Sequence, residues 1–147
     1  MAVVGEPTNE GKRVVQRNGA ILNSRLVAAI VALRHGESMV LADAGLPVPP
    51  TVEVLDLSLA PGVPGLCQTL EVVAASLQIE SAVLATELSR SNPMLEGEIA
   101  RLLRPAEVHH VDHETLKSMV STARLVVRTG EVTPYANVVL VGGVPFG

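Results

Sequence analysis

Short apolar runs alternate with helix-like segments along most of the chain, and this alternation limits the possible folds more than any other feature. The runs SMVLA, SAVLATEL, EVHHV and RLVVRTG have the length and character of buried strands. VEVLDL alternates apolar and acidic residues, and NVVLVGG is a final apolar run. Strands that alternate with helices predict an α/β fold, a three-layer sandwich with a largely parallel central sheet.

The helical segments between these runs carry start and stop signals. Asn23 or Ser24 is positioned to cap the first helix, and Gly36 stands just past its end. Asn92 followed by Pro93 is a strong start signal for a later helix, and Asp112 caps the last one. The segment GLCQTLEVVAASLQ predicts a helix with one apolar face, formed by Leu66, Leu70, Val73 and Leu77.

The length of 147 residues, with 48% hydrophobic and 18% charged, suits a single domain with a real core. The first residues are largely polar and include two glycines, so we expect a flexible tail over residues 1–18 and one domain over residues 19–147.

Composition also argues against several classes of partner. The net charge is −4, and a chain with one tyrosine, one phenylalanine and no tryptophan has few platforms for stacking bases, so no nucleic-acid partner is expected. No apolar stretch reaches the roughly 18 residues that span a bilayer, and we expect neither a membrane partner nor a signal peptide. The single cysteine, Cys67, lies in an apolar helix and fits a cytoplasmic protein.

Candidate site residues follow from the rule that ligands of parallel sheets bind beyond the carboxyl ends of the strands. Asp43 ends the run SMVLA, where it is either a turn residue or a ligand contact. His113 follows EVHHV, in the first turn of a helix. The segment Tyr135-Ala136-Asn137 places a phenol beside an amide, which suits sugar hydroxyls, although a tyrosine that anchors a loop is the simpler interpretation. Because this segment begins a strand, it would need to reach the site from the side or from a neighbouring subunit.

His35 lies on the other side of the same strand from Asp43. A strand of about five residues at roughly 3.3 Å per residue separates the two by roughly 16 Å. Either the loop of His35 folds back, or the site is completed across a subunit interface. Alternatively, His35 is a surface histidine in the turn that ends a helix.

Neither a metal site nor a nucleotide site is indicated. His109 and His110 are adjacent in a strand and point to opposite faces, so they cannot easily share a metal with His113. Neither of the glycine-rich phosphate-binding patterns, GxGxxG and GxxxxGK[ST], is present.

Several segments together resemble the D-ribose pyranase / L-fucose mutarotase family. They are HGESMVLADAGLPVP, PGVPGLCQTLEVV, SNPML, DHETLK and TGEVTPYANVVLVGGV, in that order, and the resemblance runs from about Gly19 to the end. DAGLP is most similar to the ribose branch. Two features depart from the family pattern: Gly-Glu follows His35, and the N-terminal tail is longer than usual.

This resemblance implies an isomerase that interconverts the ring forms of a monosaccharide without a cofactor or metal. It implies a cytoplasmic ring-forming homo-oligomer, commonly a decamer, with sites at subunit contacts. His35 matches the proton-donating histidine. The positions that match substrate-binding residues are Asp43, His113, Tyr135, Ala136 and Asn137.

Three alternatives remain open at this point. The runner-up within the family is an L-fucose or other monosaccharide mutarotase. A ring protein that binds sugar without catalysis is the second, and a metal-dependent enzyme built on residues 109–113 is the third.

Overall fold

The computed structural model describes residues 21–144, so the predicted tail over residues 1–18 lies outside the described residues. Six strands form one sheet. In chain order they are β1 (Ser38–Ala42), β2 (Val54–Asp56), β3 (Ile79–Ala85), β4 (Glu107–Val111), β5 (Leu125–Arg128) and β6 (Val138–Gly142).

The strand order across the sheet is β2-β5-β1-β6-β3-β4. Strand β1 pairs with β5, β5 with β2, and β3 with β4, all in parallel. Strand β6 lies between β1 and β3 and is antiparallel to both. The sheet is therefore mixed, with five strands in one direction and β6 reversed in its centre.

Within residues 21–144, five helices cover the two faces of the sheet. They are α1 (Ser24–Ala32), α2 (Leu66–Ala74), α3 (Thr86–Ser91), α4 (Pro93–Leu103) and α5 (His113–Val120). Helices α1 to α4 share one apolar core with side chains such as Met39 and Leu41 of β1. Helix α5 packs on the other face, where Leu116 and Val120 join Val40 in a second core. Successive residues of β1 thus point into different cores, as the pleat of a strand requires, and the molecule has the three predicted layers.

The predicted helix starts are confirmed. The side chains of Asn23, Asn92 and Asp112 each accept a hydrogen bond from the backbone three residues on. The predicted apolar face of α2 is confirmed for Leu66, Leu70 and Val73, which are buried; Leu77 is also buried but lies beyond the end of the helix at Ala74, so the helix is shorter than predicted.

Two other predicted boundaries were also wrong. The first helix ends at Ala32, because Leu33 already has the extended backbone that leads into the turn before β1. In SAVLATEL the strand stops at Ala85 and the next residues form α3. An apolar run alone does not distinguish a buried strand from a buried helical turn, so the pattern could not place this boundary.

Candidate functional site

Asp43 and Asn137 form a hydrogen-bonded pair at the carboxyl edge of the sheet. Asp43 directly follows β1, and Asn137 directly precedes the antiparallel β6. The Asp43 backbone N–H donates to Asn137 Oδ1 over 2.8 Å, and Asn137 Nδ2 donates to Asp43 Oδ2 over 3.2 Å. Asn137 is fully buried, so this pair fixes the direction of the Asp43 carboxylate.

The expectation that residues 135–137 must come from the side or from a neighbour was wrong. In a sheet with every strand parallel, the start of β6 would lie at the opposite edge from Asp43. Because β6 runs antiparallel to β1, its start lies beside the end of β1, within the same chain.

The turn after Asp43 is held from both sides. Asp43 Oδ1 accepts a hydrogen bond of 2.9 Å from the backbone N–H of Gly45. Nη1 of Arg128 donates to the carbonyl oxygens of Ala44 and Leu46, each at 3.1 Å. Asp43 therefore forms the turn and also lines a cleft, so the two interpretations of this residue are compatible.

Tyr135 and His113 form the other side of the cleft. Their rings meet edge to face, with centroids 5.0 Å apart and planes at 78°. Tyr135 has a positive φ of 66°, and the next residue, Ala136, is fully buried beneath it.

His113 is the first residue of α5 and is placed by its backbone. The N–H of His113 donates to Glu87 Oε1 over 2.9 Å, so the first turn of α3 holds the start of α5. Its side-chain Nδ1 is buried and is the one such atom within residues 21–144 that has no hydrogen-bond partner. A buried polar atom without a partner costs about 1–3 kcal/mol, a cost that proteins often carry at functional sites.

These residues enclose a cleft of about 450 Å³, within the range of small-molecule sites. A cavity of about 430 Å³ between α1 and α2 is similar in size, but its lining is mostly apolar. We assign the candidate site to the first cleft because several polar groups converge there. Its lining consists of Asp43, Ala44, Gly45, His113 and residues 131–135.

His35 lies at the opposite edge of the sheet from this cleft. Its exposed ring contacts Glu80, at the start of β3, with Nε2 and Oε1 3.0 Å apart. The neighbouring Gly36 N–H donates to the carbonyl of Gly142, at the far end of β6. The loop of His35 therefore does not fold back toward Asp43, and a single chain does not bring the two residues together.

The remaining candidates have separate partners. His109 Nε2 lies 3.4 Å from Glu107 Oε1, and His110 Nε2 lies 3.1 Å from Glu96 Oε2. No group of three or more potential metal ligands occurs in the described part of the chain. Burial raises the pKa of the half-buried Cys67 thiol to about 11, so it is not a reactive thiolate at neutral pH.

Three further residues support the site but were not predicted from the sequence: Glu87, Arg128 and Glu131. Each follows or ends a strand at the carboxyl edge, but no local pattern distinguishes it from an ordinary surface charge. Their roles become visible only when the strand order is known.

None of the helices within residues 21–144 has both the length and the apolar character needed to cross a membrane.

The fold and the cleft together define a single-domain α/β protein with a polar site at the carboxyl edge of a mixed sheet. The chain belongs to the RbsD / FucU transport protein family, whose model matches residues 16–145. This bears out the resemblance found in the sequence.

Curated relatives and a solved structure are also similar to this chain over most of its length. A D-ribose pyranase of Laribacter hongkongensis is 46% identical over 132 residues, which cover 90% of this chain and 100% of the relative. A D-ribose pyranase of Chloroflexus aggregans is 46% identical over 86% of this chain and 96% of the relative. The structure of Bacillus subtilis RbsD complexed with D-ribose has a TM-score of 0.84 and 41% identity, covering 86% of this chain and 96% of that one.

A more distant structure shares the fold alone. The fucose mutarotase of Streptococcus pneumoniae in complex with L-fucose has a TM-score of 0.63 and 19% identity, covering 90% of this chain and 99% of that one.

Proposed function

We propose that this protein is a D-ribose pyranase, which interconverts the pyranose and furanose forms of D-ribose. The observation that carries the proposal is the convergence of Asp43, His113 and Tyr135 on one cleft, with Asn137 beneath it. The D-ribose pyranases that are 46% identical over nearly their whole length support the choice of sugar.

The reaction needs only proton transfer. Ribopyranose is a hemiacetal, and its ring opens when the anomeric hydroxyl loses a proton and the ring oxygen gains one. The open aldehyde rotates, and the C4 hydroxyl adds to C1 while its proton moves to the aldehyde oxygen. Bonds and protons balance, and no electron is transferred, so acid/base groups suffice.

We assign the binding of the sugar to residues of the cleft. The Asp43 carboxylate accepts hydrogen bonds from hydroxyls, and Asn137 holds it in that orientation. The Tyr135 hydroxyl can donate and accept, and the backbone of Ala136 continues the binding segment. A hydrogen bond between the unpartnered Nδ1 of His113 and a sugar hydroxyl would remove the cost of leaving that atom unpaired.

The proton transfer is assigned to His35 of a neighbouring subunit. A histidine titrates near neutral pH and can act as acid and base, which typically contributes about 10²–10⁴-fold to the rate. Because His35 and Asp43 lie at opposite edges of one chain, a complete site requires two chains. We therefore propose a homo-oligomer with the domain over residues 19–147 as its repeating unit. The family resemblance implies that it is a ring, a decamer, and that it works in the cytoplasm.

Saturation-transfer NMR of D-ribose tests this function, because it measures pyranose–furanose exchange at equilibrium. We expect the wild-type protein to accelerate exchange and His35→Ala to lose the acceleration. His109→Ala is the matched control, since His109 is also an exposed histidine paired with a glutamate, and it should keep the wild-type rate.

Other outcomes identify the alternatives. Faster exchange of L-fucose anomers than of ribose would make the protein a fucose mutarotase. Calorimetric binding of ribose without any acceleration would make it a binding protein. Loss of activity on exhaustive chelation would indicate a metal enzyme, and full activity in His35→Ala would refute the role of His35.

A further inference from the structure

Glu131 lies in the wall of the cleft, on the loop between β5 and β6 that also carries Tyr135. It follows β5 by three positions, and its side chain is partly buried. A carboxylate in a sugar cleft would ordinarily be considered an acid/base group, so the contacts of Glu131 decide which role it has.

Glu131 connects three segments of the chain. Its Oε1 accepts a hydrogen bond of 2.9 Å from the backbone N–H of Leu66, the first residue of α2. Its Oε2 accepts a hydrogen bond of 2.8 Å from the Thr133 hydroxyl. Its carbonyl oxygen accepts one of 2.8 Å from the N–H of Ala44, in the turn after Asp43.

These contacts favour the ionised form of the carboxylate. Burial raises the pKa of Glu131, but the hydrogen bonds from Leu66 and Thr133 outweigh it and hold the pKa below the usual value. The start of α2 also favours a negative charge. With both oxygens engaged by donors, Glu131 is poorly placed to donate a proton to a sugar.

The backbone beneath Glu131 cannot move easily. Gly130 donates to the carbonyl of Pro64 over 2.8 Å and accepts from Gly62 over 2.6 Å. A Cβ at Gly130 would lie 2.5 Å from the carbonyl oxygen of Val63, so no other residue fits there without a backbone shift. Glu131 therefore extends from a fixed base.

Tyr135 needs such support, because its positive φ of 66° is unfavourable for a residue with a side chain. A strained backbone of this kind persists only where the surroundings enforce it. Thr133, which Glu131 holds, stands two residues before Tyr135, and the N–H of Ala136 returns to the carbonyl of Thr133 over 3.4 Å.

We propose that Glu131 is a positioning residue, whose fixed carboxylate holds the segment from Val132 to Tyr135 and so sets the Tyr135 ring over the sugar. The sugar-binding part of this proposal rests on the proposed function. The placement of Tyr135 by Glu131 is independent of the proposed function and can be measured separately.

The sequence provides a direct probe of that placement. Tyr135 is the only tyrosine of the chain, and there is no tryptophan, so tyrosine fluorescence reports on this one ring. We expect Glu131→Ala to increase quenching of Tyr135 by acrylamide and to lower kcat/KM for ribose exchange about 100-fold, the effect of misplacing a binding group by about 1 Å. Thr133→Val, a smaller change that removes only the hydroxyl contact, should move both readouts in the same direction.

Gln68→Ala is the matched control for the start of α2. Gln68 Oε1 accepts from the Gly65 N–H over 2.8 Å, so this change also removes a cap from the helix but does not touch the tyrosine segment. It should leave the quenching of Tyr135 and the exchange rate within about twofold of wild type.

Two results would overturn the proposal. One is unchanged quenching and exchange in Thr133→Val and in Glu131→Ala. The other is an equal effect of Gln68→Ala, which would mean that weakening α2 is the cause. If Glu131→Ala fails to fold, the quenching and exchange of Thr133→Val alone test the proposal. If wild-type protein does not accelerate ribose exchange, the proposed function fails, while the quenching still tests the positioning role.

Discussion

At the scale of single residues, the site depends on the pairing of one carboxylate with one amide. Asn137 is fully buried and gives Asp43 both a donor and an acceptor. An amide suits this position because it carries both kinds of atom, whereas a carboxylate at residue 137 would face the carboxylate of Asp43.

Asn137→Asp tests this pairing with almost no change in shape. We expect the free energy of unfolding at neutral pH to fall by about 1–3 kcal/mol, because a buried donor is replaced by a second anion. The loss should shrink at acidic pH, where protonation of one carboxyl restores a donor. Denaturant titrations at both pH values measure it.

The control is the exchange of the two side chains. The double variant Asp43→Asn/Asn137→Asp again places one amide against one carboxylate and should recover most of the lost stability. If Asn137→Asp were as stable as wild type at neutral pH, the pairing of Asp43 with Asn137 would not stabilise the fold.

Some of the site could be predicted at this scale and some could not. Asp43 and His113 were found because a polar residue directly after a predicted strand is placed at the ligand-binding edge. Glu131 could not be predicted from the sequence, because its partners Leu66 and Ala44 are distant in sequence and contact it only in the folded chain.

At the scale of elements, local sequence signals determine where the helices begin, and the topology of the sheet determines how the elements are oriented. Caps such as Asn92 and Asp112 act within one turn and can be recognised from sequence. The direction of β6 cannot be recognised from sequence, because an apolar run such as VVLVG has the same pattern in either direction. That reversal brings Asn137 beside Asp43, so the decisive feature of the site is topological.

The cap of α5 should make stability depend on pH. Hydrogen bonds from Thr115 hold the pKa of the Asp112 carboxyl below its usual value. A lowered folded-state pKa means that the ionised cap stabilises the fold above the unfolded-state pKa, and that this stabilisation is lost as the pH falls through the folded-state value. We expect Asp112→Asn to be less stable than wild type at neutral pH and the difference to disappear on acidification.

Asn92→Ala serves as the comparison, because the cap of α4 carries no titrating group. Removing it should cost about 1 kcal/mol at every pH. Thermal unfolding over a pH series measures both variants, and a pH-independent effect of Asp112→Asn would contradict the role of the ionised cap.

At the scale of the whole molecule, the two edges of the sheet carry complementary parts of one proposed site. The carboxyl edge has the cleft with Asp43, His113 and Tyr135, and the opposite edge presents the exposed His35. The sequence suggested this separation, since one strand stands between His35 and Asp43. The structure places them at opposite edges, and the proposed ring of subunits would bring the two edges of neighbouring chains together.

Subunit complementation between two inactive variants tests this central claim most directly. His35→Ala and Asp43→Ala, each carrying a different affinity tag, are co-expressed, purified through both tags and assayed for ribose exchange. In a ring with sites shared by neighbours, random assembly of equal amounts leaves about a quarter of the sites with both residues intact. We therefore predict that mixed assemblies recover about a quarter of wild-type activity while each variant alone stays inactive, and mixed assemblies without any recovery would contradict the account.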